Sequence, residues 1–299
     1  MRVKPIVAGI GELLWDELPG GRALGGAPGN FAWHAHGLGL EGLVISRVGE
    51  DEDGVDVLDR LAELGLSCDL VDTDTSHPTG RSTVAVDAAG VPTFVVHENA
   101  AWDFISARPE LERAAAIVDT VNFGTLGQRS PVSRRTIRGF VSGTRPDAIR
   151  LFDLNLRPPH YTRRVIEESL GLATAVKLND AELSIVSDMF GFAGDEGERA
   201  RRLADAFDLD LVALTLGEKG SVLCARERRS VHPGYRTRIV DPVGAGDAFA
   251  AALVAGMLAG LDLDRINDHA NRVASFVCSR PGATPVLPGD LREEITGGS

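Results

Sequence analysis

The residues best suited to chemistry lie in one heptad, Asp241-Pro242-Val243-Gly244-Ala245-Gly246-Asp247. An apolar, strand-like approach, Arg238-Ile239-Val240, leads into it, and a long helix of small residues leaves it from Ala248 to Ala259. Gly244 and Gly246 allow a tight turn that points N–H groups at one spot. That spot lies at the amino end of a helix, where the dipole favours an anion. Asp247 falls in the first helical turn beside it. A carboxylate against an anion site is costly unless it has a task, and the task that fits is taking a proton from an attacking hydroxyl. A glycine-rich turn followed by an Asp that only caps the helix would leave the same pattern.

Further polar groups recur where strands end. Gly25-Gly26-Ala27-Pro28-Gly29-Asn30 precedes an amphipathic helix. Its paired glycines would let a ligand approach the backbone, and Asn30 offers a donor and an acceptor suited to a sugar hydroxyl. Asp16 follows the first strand, on the side where open α/β sheets bind ligands. In Asp153-Leu154-Asn155-Leu156-Arg157-Pro158, alternation sets Asp153, Asn155 and Arg157 on one side and the leucines toward the core. In Lys177-Leu178-Asn179-Asp180-Ala181-Glu182, Asn179 and Glu182 have the spacing of a capping box. The same two residues would also suit magnesium and its waters. Thr215-Leu216-Gly217-Glu218-Lys219-Gly220 closes a strand either as a phosphate cradle or as a hairpin turn. Other patterns fail. There is no G-x-x-x-x-G-K-[ST], and Leu14 stands where a dinucleotide fingerprint begun at Gly9 needs its third glycine. Asp51-Glu52-Asp53-Gly54 imitates a calcium loop, but Val55 follows and the distal glutamate is missing. His34 and His36, two apart on a helix, face different ways.

The elements that must position these groups alternate between short apolar runs and helical patterns. Strands are expected at 5–10, 42–48, 116–123, 148–153, 175–178 and 211–216, and helices at 29–38, 55–64, 133–143, 165–172, 181–190, 196–207, 247–261 and 264–278. The fold class is therefore α/β, a mostly parallel sheet covered by helices. Residues 12–26 and 79–96 break the alternation. The second reads as a hairpin of Arg81–Asp87 and Pro92–Val96 with a turn at 88–90, part of a small sheet projecting as a cover. The chain has 299 residues, a net charge of −12, 43% hydrophobic and 25% charged residues, so it can bury a large core and is a poor match for nucleic acid. Its three dispersed cysteines argue against a disulfide framework and fit a reducing, cytoplasmic setting. No signal-peptide pattern opens the chain, and the apolar run 248–261 is too short for a confident membrane span, so no membrane partner is expected.

Together, and in this order, the motifs resemble the PfkB family of ribokinase-like carbohydrate kinases over residues 5 to about 287. The likeness is carried by Gly25–Asn30 and Asp241–Asp247. It is supported by Asn179-x-x-Glu182, Thr215-x-Gly217-x-x-Gly220, Gly49-x-Asp51-x-x-Gly54 and Pro78-Thr79-Gly80. The resemblance implies one ribokinase-like domain over 1–299, a three-layer α/β/α fold with a small β-sheet lid from segments near 12–28 and 79–103. It implies an ATP-dependent, magnesium-requiring kinase. Asp247 would be the general base, with the Gly244, Ala245 and Gly246 amides as anion hole. Asp16, Gly26 and Asn30 look like sugar contacts, with Asn155 and Arg157 placed to join them. Asn179, Thr215, Gly217, Gly220 and Asn271 look like nucleotide contacts. Glu182 looks like the residue that meets magnesium through water, and Asp241 with the Arg280–Ala283 loop resembles a monovalent-cation (K+) site. Open lid edges suit pairing into a homodimer. Val243 replaces a frequent threonine, and Gly29 a common alanine. Gly25–His34, Asp153–Pro158 and Glu98–Asp103 look most like fructokinase-type members, with Trp102 either stacked on a sugar or in the core. A 2-keto-3-deoxygluconate kinase, using Arg157 for the substrate carboxylate, is the alternative within the family. A degenerate member of the same fold, a sugar- or nucleotide-binding sensor without catalysis, is the alternative of a different functional class. A dehydrogenase is disfavoured by the failed Gly9 fingerprint.

Overall fold

The computed structural model describes residues 4–18, 20–86, 92–226 and 228–296. In chain order its strands are β1 (Ile6–Ile10), β2 (Leu14–Leu18), β3 (Gly21–Gly25), β4 (Glu41–Gly49), β5 (Val71–Asp74), β6 (Gly80–Val86), β7 (Pro92–Val96), β8 (Thr120–Phe123), β9 (Ile149–Asp153), β10 (Ala175–Asn179), β11 (Leu211–Thr215), β12 (Ser221–Ala225) and β13 (Arg228–His232). The helices are α1 (Ala27–Gly37), α2 (Glu52–Glu63), α3 (Pro109–Ala115), α4 (Pro131–Ser142), α5 (Arg163–Leu170), α6 (Asp180–Phe190), α7 (Glu196–Phe207), α8 (Ala245–Leu258), α9 (Leu263–Cys278) and α10 (Gly289–Thr296).

A nine-stranded sheet runs β13-β12-β11-β10-β9-β8-β1-β4-β5. It is parallel from β11 to β5, and the β11–β12 and β12–β13 pairings are antiparallel. Strands buried on both faces send alternate side chains into two cores. Ile10, Phe123, Phe152, Val176 and Leu178 meet the layer of α3 to α7. Val7, Leu151, Ala175, Leu211 and Ala213 meet α1, α8 and α9. Helix α8 is apolar on all sides, and Ala248 through Gly256 are buried. Its amino end is thereby locked over the carboxyl ends of the central strands. Among the described residues, no helix is long and apolar enough to cross a membrane.

The expected elements form, with shifted ends. Residues 116–118 are not strand, because the amides of Ala116 and Ile117 bond back to Glu112 and Ala114 as α3 closes. Arg238–Val240 is not a strand either. It runs unpaired past the end of α9, with the Val240 amide on the Cys278 carbonyl. Elements β5, α3, β12, β13 and α10 have no counterpart among the expected ones. The 88–90 turn lies outside the described residues.

Segments 14–25 and 80–96 pair into a second sheet, β3-β2-β6-β7. It joins the body through a polar knot that explains the spacing Gly49-x-Asp51-x-x-Gly54 with Thr79. Asp51 caps α2 by accepting from the Gly54 amide (2.8 Å), and accepts from the Thr79 amide (2.9 Å) and hydroxyl (2.6 Å). A Cβ on Gly54 would lie 2.1 Å from the Gly49 carbonyl oxygen. The calcium-like run is therefore a helix start. Beyond the knot, Arg22 on β3 and Arg81 on β6 both pair with Asp53 of α2, and the Trp15 indole N–H donates to the Asp53 carbonyl.

Candidate active site

The turn before α8 divides its work between its glycines. Gly244 has φ +78°, and a Cβ there would lie 2.4 Å from the Ala283 carbonyl oxygen. Both the left-handed backbone and the space require glycine. No side chain caps the helix. The Ala245 amide makes a 3.3 Å bond to Pro242, and the amino end of α8 is left for an anion. Gly246 does not have a positive φ.

Asp247, in the first turn of α8, is half-buried. Its Oδ2 accepts a 2.8 Å hydrogen bond from Nδ2 of Asn30, so the two signature elements meet across 217 residues of chain. Burial raises the Asp247 carboxyl above its ordinary range, while Lys177, the Asn30 bond and Arg157 pull it back.

Around Asp247 the carboxyl ends of β1 and β9, with the small sheet, bring further charges. Asp16 on β2 accepts from the Ser82 hydroxyl of β6, and burial raises its carboxyl against Ser82 and Arg157. The Gly25-Gly26 pair serves the protein's own groups. A Cβ on Gly25 would sit 2.3 Å from the Asp16 carboxylate, and one on Gly26 (φ +114°) 2.3 Å from the Glu12 carbonyl oxygen. Beyond β9, Leu154 and Leu156 are buried as the alternation predicts, Asn155 takes a left-handed φ of +40°, and Arg157 is exposed. Arg157 acts on Glu12, Asp16 and Asp247 together.

Three groups here carried no role in the sequence reading. Glu12 is buried, and burial pushes its carboxyl up to about 7. It lines a narrow cleft with Pro28, Asn122, Thr125, Asp153 and Asn155. Asn122 is a buried amide on β8. Lys177 on β10 stands directly across from Asp153 on β9, with Nζ 3.1 Å from each carboxylate oxygen. Burial holds Asp153 above the usual carboxylate range, while the neighbouring carboxylates Asp153, Asp247 and Glu182 keep Lys177 cationic. The available signal was a lysine inside the otherwise apolar run Ala175-Val176-Lys177-Leu178.

The expected nucleotide residues lie along neighbouring strand ends: Asn179 stands at the register of Thr215, Thr215 at that of Ser221, and Asn271 bonds to the Ser221 hydroxyl. Asn179 and Glu182 form a complete capping box: the Glu182 amide donates to Asn179 Oδ1 and the Asn179 amide to Glu182 Oε2, both at 2.8 Å. Oε1 of Glu182 accepts from the Leu156 amide at 2.8 Å. Residues 215–220 form a hairpin between β11 and β12 with the Leu216 amide on the Gly220 carbonyl, and the Thr215 hydroxyl donates to Leu178. A Cβ on Gly220 would lie 2.0 Å from the His232 carbonyl oxygen, so that glycine serves packing. Gly217 (φ +58°) has open space around it. Asn271 is buried, and its amide nitrogen donates to Ser221 and Asn267, tying α9 to β12. Asp241 accepts from the Val243 and Gly282 amides, each at 3.0 Å, joining the heptad to the 280–283 loop. That loop is also held by His34, whose Nε2 lies 2.9 Å from the Ala283 carbonyl. Burial pushes His34 down to about 4, so the neutral ring donates there. Trp102 is fully buried beneath the Arg129 guanidinium, so of its two expected places it takes the core. Among the described residues, no group of three or more His, Cys, Asp or Glu has the geometry to hold a metal ion.

The family model for pfkB family carbohydrate kinases matches residues 20–289. The sugar kinase PH1459 of Pyrococcus horikoshii is 30% identical over 297 residues, covering 93% of this chain and 91% of the relative. Its crystal structure, described as that of an uncharacterised sugar kinase, superposes with a TM-score of 0.83 at 28% identity, over 97% of this chain and 99% of that one. A fructokinase of Escherichia coli is 29% identical over 311 residues, with 96% of each chain covered. A fructokinase of Vibrio cholerae, solved with fructose, ADP and calcium, shares the ribokinase-like fold at a TM-score of 0.79 and 21% identity, over 98% of this chain and 99% of that one.

Proposed function

Because the chain belongs to the pfkB family of carbohydrate kinases, and is thus a phosphotransferase acting on a sugar hydroxyl, we propose that it transfers the γ-phosphoryl group of ATP to fructose or a related ketohexose. The observation that carries this reading is the 2.8 Å bond from Asn30 to Asp247. It joins the element suited to sugar hydroxyls to the carboxylate at an uncapped helix end. Asn30 orients one oxygen of Asp247 and leaves the other for the acceptor proton. Asp247 takes that proton as the acceptor oxygen attacks. The amides of the Gly244–Gly246 turn and the α8 dipole stabilise charge on the transferred group, as expected where positioning and electrostatics carry the reaction.

Asp16, Gly26, Asn30, Asn155 and Arg157 form the sugar end in this reading. Arg157 lowers the carboxyls of Glu12, Asp16 and Asp247, and even with Lys177 beside Asp247 the site holds more acidic than basic groups. That balance suits a neutral polyol better than a sugar acid, and fructokinases among the relatives point the same way. Gly217, with open space and a positive φ, suits close approach of nucleotide phosphates. Thr215, Gly220, Asn179 and Asn271 complete the nucleotide end in this reading. Glu182 would meet magnesium through water, since each of its oxygens already accepts a backbone N–H. The ion, when bound, neutralises phosphate charge. Asp241 and the 280–283 loop are adjacent, as a K+ site would need. The small sheet acts as a lid that closes over the sugar and excludes water.

The test is ADP release with Mg-ATP across fructose, 2-keto-3-deoxygluconate, ribose, adenosine and no acceptor. Fructose is expected to give the highest kcat/KM. A preference for 2-keto-3-deoxygluconate would overturn the substrate, and no acceptor-dependent release from any sugar would overturn the reaction.

A further inference from the structure

Gly246 is a glycine for a reason other than turning the chain. Its φ is not positive, so the backbone does not demand glycine. A Cβ there would lie 2.8 Å from Nζ of Lys177, and its next nearest neighbour, at 3.7 Å, is Cε of the same side chain. The missing Cβ lets the ammonium rest against the turn whose amides face the anion. Lys177 comes from β10, on the face that α8 covers, and is 8% exposed. Asp153 stands at the same register on β9 and holds Nζ with both oxygens at 3.1 Å. A parallel strand covered on both faces is ordinarily apolar. A buried ion pair there adds no stability that well-packed apolar residues could not supply. Stability alone therefore gives no reason for placing a charge pair beneath the anion turn.

We propose that Lys177 is a catalytic residue of the phosphoryl transfer, its ammonium aligned by Asp153 and donating to the non-bridging oxygens of the group held at the Gly244–Gly246 turn. This rests on the assignment of Asp247 as the base. In the step, the bond from the acceptor oxygen to phosphorus forms as the bond from phosphorus to the ADP oxygen breaks. The acceptor proton passes to Asp247. Lys177 stays protonated throughout and supplies hydrogen bonds and charge where negative charge builds up.

Lys177→Met alone strands Asp153 in the interior and is expected to lower the melting temperature. The decisive variant is Lys177→Met/Asp153→Leu, which replaces the pair with apolar groups of similar size. Its melting temperature and its KM for ATP and sugar are expected to stay near wild type, while kcat falls by roughly 10²–10³-fold, the usual worth of one such donor. Gly246→Ala leaves the pair intact but pushes Nζ aside. It is expected to cost activity with little loss of stability, and to add little when built into the double variant. A folded double variant with kcat within about threefold of wild type overturns the proposal, a margin small beside one donor's worth. Should that variant not fold, an unchanged kcat in Gly246→Ala overturns it instead. Asp247→Asn, run alongside, separates the two assignments. If it alone is inactive, the base stands and Lys177 falls; if it is active while the Lys177 variant is not, the base assignment falls.

Discussion

Replacing Asp247 with Asn changes a charge and almost no volume. The new side chain can turn its oxygen toward Nδ2 of Asn30 and keep the 2.8 Å bond. Two electrostatic effects on stability oppose each other. Burial makes the ionised carboxylate costly, whereas Lys177 and Arg157 favour it. A neutral amide escapes the first effect and loses the second, so the melting temperature is expected to move by only a few degrees, on the order of 1 kcal/mol. What disappears is the proton acceptor. A general base contributes roughly 10²–10⁴-fold, which corresponds to about 2.7–5.5 kcal/mol of barrier. The assay is ADP release with saturating Mg-ATP and sugar, with calorimetric binding of each substrate beside it. Wild-type turnover should rise with pH as Asp247 ionises, at a higher pH than an ordinary Asp would, because burial raises its carboxyl. The variant should bind both substrates and show no such rise. A folded Asp247→Asn protein turning over within about tenfold of wild type, below the smallest worth of a general base, would refute the reasoning.

The two glycines of the 215–220 hairpin should respond differently. Gly220→Ala drives a Cβ into the His232 carbonyl and is expected to cost on the order of 2–5 kcal/mol in denaturant melts. Gly217→Ala meets open space, should cost only about 1–2 kcal/mol of backbone strain, and should instead raise KM for ATP. Glu12 has a folded pKa of about 7 against an ordinary 4.5, so its contribution is full below 4.5 and lost as pH rises through 7. Melts of Glu12→Gln against wild type should therefore favour the variant increasingly between pH 5 and pH 7.5, by up to about 3 kcal/mol; parallel curves would refute this. Arg22→Ala/Arg81→Ala removes the cations that tie the small sheet to Asp53 and should raise the KM for sugar and the acceptor-independent release of ADP. Unchanged values in that assay would show that the latch does not govern closure.

Much of the site could be read locally. The heptad at the start of α8, the capping box of Asn179 and Glu182, and the strand-end position of Asp153 through Arg157 depend on residues within a few positions of one another. Backbone conformation and helix ends are set at that range, so spacing predicts them. The strand-like run Arg238–Val240 forms no strand because strands need a partner, and the carbonyl that meets the Val240 amide lies at the end of α9. Gly25, Gly26, Gly220 and Gly246 were visible as glycines. What each makes room for was not: a carboxylate, two backbone carbonyls and an ammonium contributed from elsewhere in the chain.

The amino-acid sequence by itself determined the alternation of strand and helix, the family to which the chain belongs, and which side chains could act as base or anion donors. Tertiary structure alone decided who meets whom. Asn30 reaches Asp247 because α1 and α8 pack on the same face of the sheet. Lys177 reaches Asp153 and the Gly246 turn because β9 and β10 lie in one parallel register under α8. Periodicity tells which face a residue occupies, but sheet order and register, fixed by burial of the whole core, determine which distant charge stands opposite it.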